Sequence, residues 1–70
     1  MPDLSPHPLR RWRDRHGRSI YEAAAAADTS AATISRIETG RQYPKPGLLA
    51  RLVLLTGVSA DQFLARRGAR

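Results

Sequence analysis

The sequence contains no cysteine, one lysine and few aromatic side chains. The absence of cysteine excludes disulfide bonds, a thiol nucleophile and any cysteine-ligated zinc site, and it favours the reducing cytoplasm. No apolar run is longer than the five alanines at 23–27, which are too few to cross a bilayer. The first four residues lack the charged and apolar regions of a signal peptide, so we expect no export.

Patterns typical of strands and of catalytic sites are also missing. No alternation of polar with β-branched or aromatic residues predicts a strand. A single domain of 70 residues buries only about 60% of the surface that its unfolded chain exposes, and deep catalytic pockets are rare at that size. The two histidines, His7 and His16, have no spacing that indicates catalysis or metal binding. We therefore expect an all-α protein that is not an enzyme and needs no metal or cofactor.

Charge of one sign predominates in the composition. Twelve lysines and arginines stand against six aspartates and glutamates, which gives a formal net charge of +6. A compact surface this positive attracts polyanions, nucleic acid first and acidic membranes second. Part of the excess has a simpler explanation, because arginine and alanine are both encoded by GC-rich codons. A membrane role is disfavoured, since no predicted helix joins a continuous basic face to bulky apolar residues.

Prolines, glycines and capping residues divide the chain into five predicted helices. The segment Ser19-Ile-Tyr-Glu22 is typical of a capping box, in which the hydroxyl accepts from a free amide and the carboxylate reaches back. Asp28 stands where a left-handed residue is wanted after the second helix, a position that glycine fills more easily. The predicted helices span 8–16, the stretch from Ser19 through 27, 31–38, 47–56 and 60–66. They form one domain, 8–66, between an extended lead-in (1–7) and a basic tail (67–70).

The third predicted helix has two unlike faces. At about 100° per residue, Ile34 and Ile37 share the side that must face the core. The other side carries small side chains and one arginine, namely Ala31, Ala32, Ser35 and Arg36. Small side chains let a helix approach a surface closely, and a guanidinium can donate to both acceptors of a guanine edge. The same pattern fits a plain surface helix whose small residues favour helix formation, so both interpretations stay open.

Two opposite charges are expected to meet between the first and third helices. Glu38 lies on the inward side of its helix, beside Ile34, where a carboxylate needs a partner. Arg13 shares one face of the first helix with Leu9 and Trp12 and is therefore a cation on an apolar face. We predict an ion pair between Arg13 and Glu38. The alternative is that one of the two side chains points into water.

The segment 19–40 resembles the helix-turn-helix of the lambda-repressor/Cro-like proteins, also called the xenobiotic-response-element (XRE) family. The matching residues are Ser19-Ile-Tyr-Glu-Ala-Ala24, Thr29-Ser30 and Thr33-Ile-Ser-Arg-Ile-Glu-Thr-Gly40, and the resemblance extends outward to Leu9 and Leu64. It implies a five-helix lambda-repressor-like fold whose helix-turn-helix spans 19–39 and whose third helix enters the major groove of double-stranded DNA. The resemblance also implies an Arg–Glu pair at the positions of Arg13 and Glu38. We accordingly expect a transcriptional regulator, above all a repressor, in the cytoplasm at the nucleoid, encoded by a bacterium or a phage.

The motif also assigns roles to individual residues by position. The side chains expected to read bases are Ala31, Ala32, Ser35 and Arg36. The residues expected to contact phosphates are Ser19, Ile20, Ser30 and Thr39, together with Arg41 and Gln42 through their amides.

Three departures from the family pattern bear on this site. Ile20 occupies a position usually held by glutamine, which leaves only its backbone amide for a phosphate. Asp28 replaces the usual glycine and Thr29 the usual apolar residue, which predicts a less tightly packed turn. Two alanines on the reading face offer no hydrogen bonds, so we expect specificity to rest partly on DNA shape or on tandem sites.

Apolar residues near the end of the chain predict a surface for another protein. Leu54 points away from the leucines that form the inner face of the fourth predicted helix. With Phe63 and Leu64 it is a candidate homodimer surface, although a single exposed leucine is also ordinary. The alternative function is an antitoxin-like or accessory module that binds a partner protein through the same fold.

Overall fold

The computed structural model describes residues 6–64, and within them the chain forms five helices and no strand. The helices are α1 (Pro8–His16), α2 (Ile20–Ala26), α3 (Ala31–Glu38), α4 (Pro46–Thr56) and α5 (Ala60–Leu64). The predicted all-α, five-helix architecture is thus confirmed. The start of the predicted lead-in, the last residues of the predicted fifth helix and the basic tail lie outside the described residues.

The helix boundaries follow local capping chemistry. Gly17 ends α1 and Gly57 ends α4, each in the left-handed conformation that glycine adopts without strain. α4 begins one residue earlier than predicted, at Pro46, because proline suits the first turn of a helix, where its missing N–H costs nothing. α2 ends one residue earlier than predicted, and Ala27 is its C-cap.

His7 has a structural role at the start of α1. Its Nδ1 accepts a hydrogen bond from the N–H of Leu9 at 3.0 Å, so the imidazole caps the helix. The ring is buried, and its centroid lies 5.9 Å from that of Phe63 on α5. This histidine therefore links the beginning of α1 to α5.

The core is built from the apolar faces of all five helices. Its buried members are Leu9, Ala24, Ala27, Ile34, Ile37, Leu48, Leu52 and Phe63. Trp12 and Ile20 are half-buried and pack against this cluster, so the only tryptophan belongs to the edge of the core. Phe63 is only 1% exposed, and the expectation that it lies on a dimer surface is wrong. The five-residue helix α5 turns its one large aromatic side chain inward, where its burial contributes most.

No helix among residues 6–64 is long and apolar enough to span a bilayer.

Candidate nucleic-acid interface

A short turn, 27–30, joins α2 to α3 and is closed by the backbone itself. Asp28 adopts the left-handed conformation, with φ of 56°. Its N–H donates to the carbonyl of Ala25 at 3.2 Å, and the N–H of Thr29 donates to the carbonyl of Ala24 at 2.9 Å. These bonds satisfy carbonyls that the end of α2 would otherwise leave open. The turn therefore closes with aspartate at the position where the family pattern has glycine.

Arg51 supports the same turn from α4. Its Nε donates to the carbonyl of Ala27 at 2.8 Å. That carbonyl lies at the C-terminal end of α2, where the helix dipole favours a cation. Sequence reasoning missed this contact, because helical periodicity does not predict which distant carbonyl a surface arginine meets. The available signal was that Arg51 is the one charged residue in the apolar helix α4.

The two faces of α3 differ in exposure as the helical wheel predicts. Ile34 and Ile37 are 0% and 1% exposed and anchor the helix in the core. The exposed side chains of the opposite face are those of Ala32, Ser35 and Arg36. Ala31 is half-buried and packs against the core, so it contributes less of its surface to this face. The helix begins at Ser30, whose hydroxyl oxygen accepts from the N–H of Thr33 at 3.1 Å.

Arg13 and Glu38 form a bidentate ion pair between α1 and α3. Arg13 Nε donates to Glu38 Oε2 at 2.7 Å, and Nη2 donates to Oε1 at 2.9 Å. The side chains are only 13% and 7% exposed, respectively. The hydrogen bonds to this carboxylate raise the pKa of the Arg13 guanidinium. Arg13 Nη1 also donates to the carbonyl of Arg18 at 3.1 Å, which ties the α1–α2 loop to the pair.

Ser19 and Glu22 form a complete capping box at the start of α2. The Ser19 hydroxyl oxygen accepts from the N–H of Glu22 at 3.0 Å, and the Ser19 N–H donates to Glu22 Oε1 at 2.7 Å. This backbone N–H lowers the pKa of the Glu22 carboxyl, and the charge of Arg18 acts in the same direction. The Ser19 amide is therefore engaged by a carboxylate. A phosphate that approached it would have to displace Glu22.

The start of α2 and the start of α3 leave different groups for a phosphate. The Ile20 side chain is half-buried against the core, and its N–H belongs to the first turn of α2, where amides have no partner within the helix. Ser30 is exposed, and its hydroxyl is 2.9 Å from the hydroxyl of Thr33. The start of α2 is already engaged by the Glu22 carboxylate, whereas the start of α3 has only hydroxyl caps.

Residues that follow α3 donate hydrogen bonds to the last carbonyls of this helix. The amides of Arg41 and Gln42 both donate to the carbonyl of Arg36, at 2.8 and 3.3 Å. These amides are therefore engaged by the carbonyl at the end of the helix, and their contact with phosphates stays a prediction. Thr39 uses its hydroxyl in the same way, donating to the carbonyls of Ser35 (2.9 Å) and Arg36 (3.3 Å). The exposed Arg41 side chain stays available.

Comparison with known proteins decides the family. A profile of the helix-turn-helix domain matches residues 7–65. The chain belongs to the helix-turn-helix family. This match confirms the family resemblance found in the sequence. Neither a curated protein nor a solved structure matches the chain.

Two tyrosines extend the exposed surface of the helix-turn-helix domain and were not singled out from the sequence. Tyr21, in the first turn of α2, is 75% exposed, and Tyr43, in the loop after α3, is 44% exposed. Tyrosine hydroxyls are frequent phosphate contacts in protein–DNA complexes. The signal that identifies them is position: each lies within two residues of a predicted phosphate contact.

The predicted protein-binding surface is smaller than expected. Leu54 is 86% exposed and Leu64 is 46% exposed, on helices that pack against each other. Because Phe63 lies in the core, only Leu54 and Leu64 of the three predicted dimer-surface residues are exposed. Among residues 6–64 there is no cluster of three or more histidine, aspartate or glutamate side chains arranged to hold a metal ion.

Proposed function

We propose that this helix-turn-helix protein is a sequence-specific DNA-binding transcriptional regulator, of the lambda-repressor/Cro-like type, that represses by inserting α3 into the major groove. The observation that carries the proposal is the exposed face of Ala32, Ser35 and Arg36 opposite the buried Ile34 and Ile37. An eight-residue helix is about 12 Å long, and the major groove is about 12 Å wide. A helix with these small side chains can approach the base edges closely.

Arg36 is the side chain that we assign to hydrogen bonding with a base. Its guanidinium is exposed on α3, and the simplest target is a guanine, whose O6 and N7 both accept. Ala32 and Ala31 are suited to contact thymine methyl groups, and Ser35 can donate to or accept from either kind of base. Because one long polar side chain carries most of the direct contacts, DNA shape is expected to contribute to selectivity.

Phosphate contacts are expected from fewer groups than the motif implies. The Arg41 guanidinium, the Ile20 amide and the Ser30 hydroxyl keep that role, since they are exposed or lie at a helix start. The formal charge of +6 adds attraction that does not depend on sequence. We assign Ser19, Thr39 and Gln42 to shaping the helix ends that support these contacts.

A homodimer is part of the proposal. Leu54 and Leu64 are exposed apolar side chains on the packed pair α4 and α5. A symmetric pair of these surfaces would present two copies of α3 to half-sites about 34 Å apart on one face of the duplex. Replacing Leu54 with glutamate should shift sedimentation toward the monomer and weaken binding to paired half-sites. Unchanged sedimentation and DNA binding would remove Leu54 from the interface.

Repression requires only that the bound protein blocks access to a promoter. We place this activity at the nucleoid of a bacterial host, with the gene on the chromosome or on a phage. A reporter under a promoter that carries the selected site should lose expression when the protein is produced. An increase in expression would instead indicate an activator.

The experiment that tests base-specific binding is selection of bound duplexes from a random pool at two salt concentrations. The expected result is an enriched sequence that outcompetes a scrambled duplex at both concentrations. Arg36→Ala should then lose about 1–3 kcal/mol and relax the preference at one base pair. Arg41→Ala should weaken binding to all duplexes alike. It should also reduce the slope of log K against the logarithm of salt concentration by about one. Equal losses on every sequence for Arg36→Ala would contradict its reading role.

A protein-binding module is the second candidate, and the exposure of Leu54 is the observation that favours it. This function predicts a defined complex with a partner protein that survives Arg36→Ala and is lost in Leu54→Glu. The same pair of variants therefore separates the two functions.

A further inference from the structure

A groove of about 230 Å³ lies between α1 and the segment that joins α4 to α5. Its rim and walls include Pro8, Arg11, Trp12 and Arg15 on α1, and Val58 and Gln62 across from them. Arg11 and Arg15 lie roughly opposite Arg13 around α1, and Arg13 is the residue that bonds to α3. The groove therefore faces away from the proposed reading helix and has no part in the function described above.

Two cations at the rim of this groove lack an acidic partner. Within residues 6–64, neither Arg11 nor Arg15 forms an ion pair, and the nearby Asp14 lies 3.7 Å from Arg10 instead. The two arginines are one helical turn apart, so their guanidinium groups project from the same side of α1. Such a pair is suited to an anion with two oxygens, because guanidinium donors match a carboxylate in geometry as well as in charge.

The wall beside these cations contains a flat ring together with polar and apolar side chains. Trp12 is half-buried, Arg18 lies over its ring at 5.9 Å from the centroid, and the ring of His16 is 5.2 Å away. Buried Pro8 and half-buried Val58 lie next to the indole in this lining, and Thr56 and Gln62 add polar groups to it. A flat ring can pack beside the indole of Trp12 while an attached anion stays near the guanidinium groups.

We propose that the groove binds a small organic carboxylate that carries a flat apolar ring. The carboxylate lies between Arg11 and Arg15, and the ring packs on Trp12 beside Val58. The volume is below that of sites for drug-sized ligands, which limits the ligand to roughly ten non-hydrogen atoms. Charge complementarity at the rim and the indole of Trp12 together favour an aromatic acid over an inorganic anion.

Trp12 gives the test a direct readout, because it is the only tryptophan and its indole N–H is a single signal in ¹H–¹⁵N spectra. The protein is titrated with benzoate and phenylacetate, with phenylacetamide as the uncharged counterpart and inorganic phosphate as the anion without a ring. The expected result is a saturable shift of the indole signal with a Kd on the order of 1 mM for an acid. Both controls should bind about tenfold more weakly or not at all.

A pair of double variants identifies the residues involved. Arg11→Gln/Arg15→Gln should weaken binding about tenfold. Arg10→Gln/Lys45→Gln removes the same charge away from the groove, at two exposed residues that do not line it, and should leave the Kd unchanged. Circular dichroism checks that both variants are folded. The proposal is overturned if neither acid gives a saturable shift, if phosphate or phenylacetamide matches the acids, or if the two double variants weaken binding equally. The titration contains no DNA, so its result is independent of the proposed regulatory function.

Discussion

Arg51 and Ala27 connect α4 to the end of α2 through one hydrogen bond between a charged donor and a backbone carbonyl, with Nε 2.8 Å from the oxygen. Ala27 is completely buried, so water does not replace the arginine at this carbonyl without a rearrangement. A buried acceptor that loses its partner carries the full cost of its desolvation. The bond therefore stabilises the turn that positions α3 relative to α2.

Replacing Arg51 with methionine should destabilise the protein by about 1–3 kcal/mol, because the apolar stem is retained and only the donor is lost. Urea unfolding followed by circular dichroism measures the change. Arg10→Met is the matched control, since Arg10 has only an exposed partner, Asp14, and should cost less than about 1 kcal/mol. If both variants lost the same free energy of unfolding, the hydrogen bond to Ala27 would not contribute to stability beyond an ordinary surface arginine.

The ion pair of Arg13 and Glu38 should be much more sensitive to the loss of one partner than to the loss of both. Arg13→Met leaves the Glu38 carboxylate buried without its cation, which should cost about 3–5 kcal/mol. The double variant Arg13→Met/Glu38→Met removes both charges and should recover much of that loss. Thermal and urea unfolding at neutral pH compare the three proteins. A double variant less stable than Arg13→Met would contradict this account.

The sequence was most informative where structure depends on neighbours along the chain. The caps at Ser19, Ser30 and Gly17 depend on residues within one helical turn, and each forms where the pattern predicts it. The approach of Arg13 to Glu38 was predictable because two separate helical faces each carried one unmatched charge.

Contacts between distant segments were not predictable in the same way. No periodicity indicates that Arg51 meets the carbonyl of Ala27, or that the amides of Arg41 and Gln42 turn back to Arg36. The prediction of Phe63 on the surface rests on its nearness to Leu54 and Leu64, and a helix as short as α5 shows too little periodicity to identify its inner face. These features depend on how the helices are placed in space, which the residue pattern alone does not determine.

The capping box at Ser19 should make stability depend on pH through Glu22. The pKa of this carboxyl is lowered by the Ser19 N–H, so the ionised form is favoured in the folded protein. The stabilisation that the ionised carboxylate gives the folded protein is therefore fully present above the ordinary glutamate pKa of about 4.3. It is lost as the pH falls through the lowered pKa. Glu22→Gln keeps a neutral cap. The difference in urea midpoint between the native protein and this variant should shrink as the pH is lowered from 6 to 3, and a constant difference would contradict it.

Asp28 offers a way to stabilise the turn between α2 and α3. Its φ of 56° lies in the left-handed region, where a side chain costs about 1 kcal/mol and glycine is free of that strain. Glycine also gains freedom in the unfolded chain, which offsets part of the benefit. We expect Asp28→Gly to raise the free energy of unfolding by roughly 0.5 kcal/mol, and Asp28→Ala to lower it, because aspartate adopts the left-handed conformation more readily than alanine. Urea unfolding of both variants decides the matter, since a gain in stability from alanine would mean that the left-handed conformation is not what limits this turn.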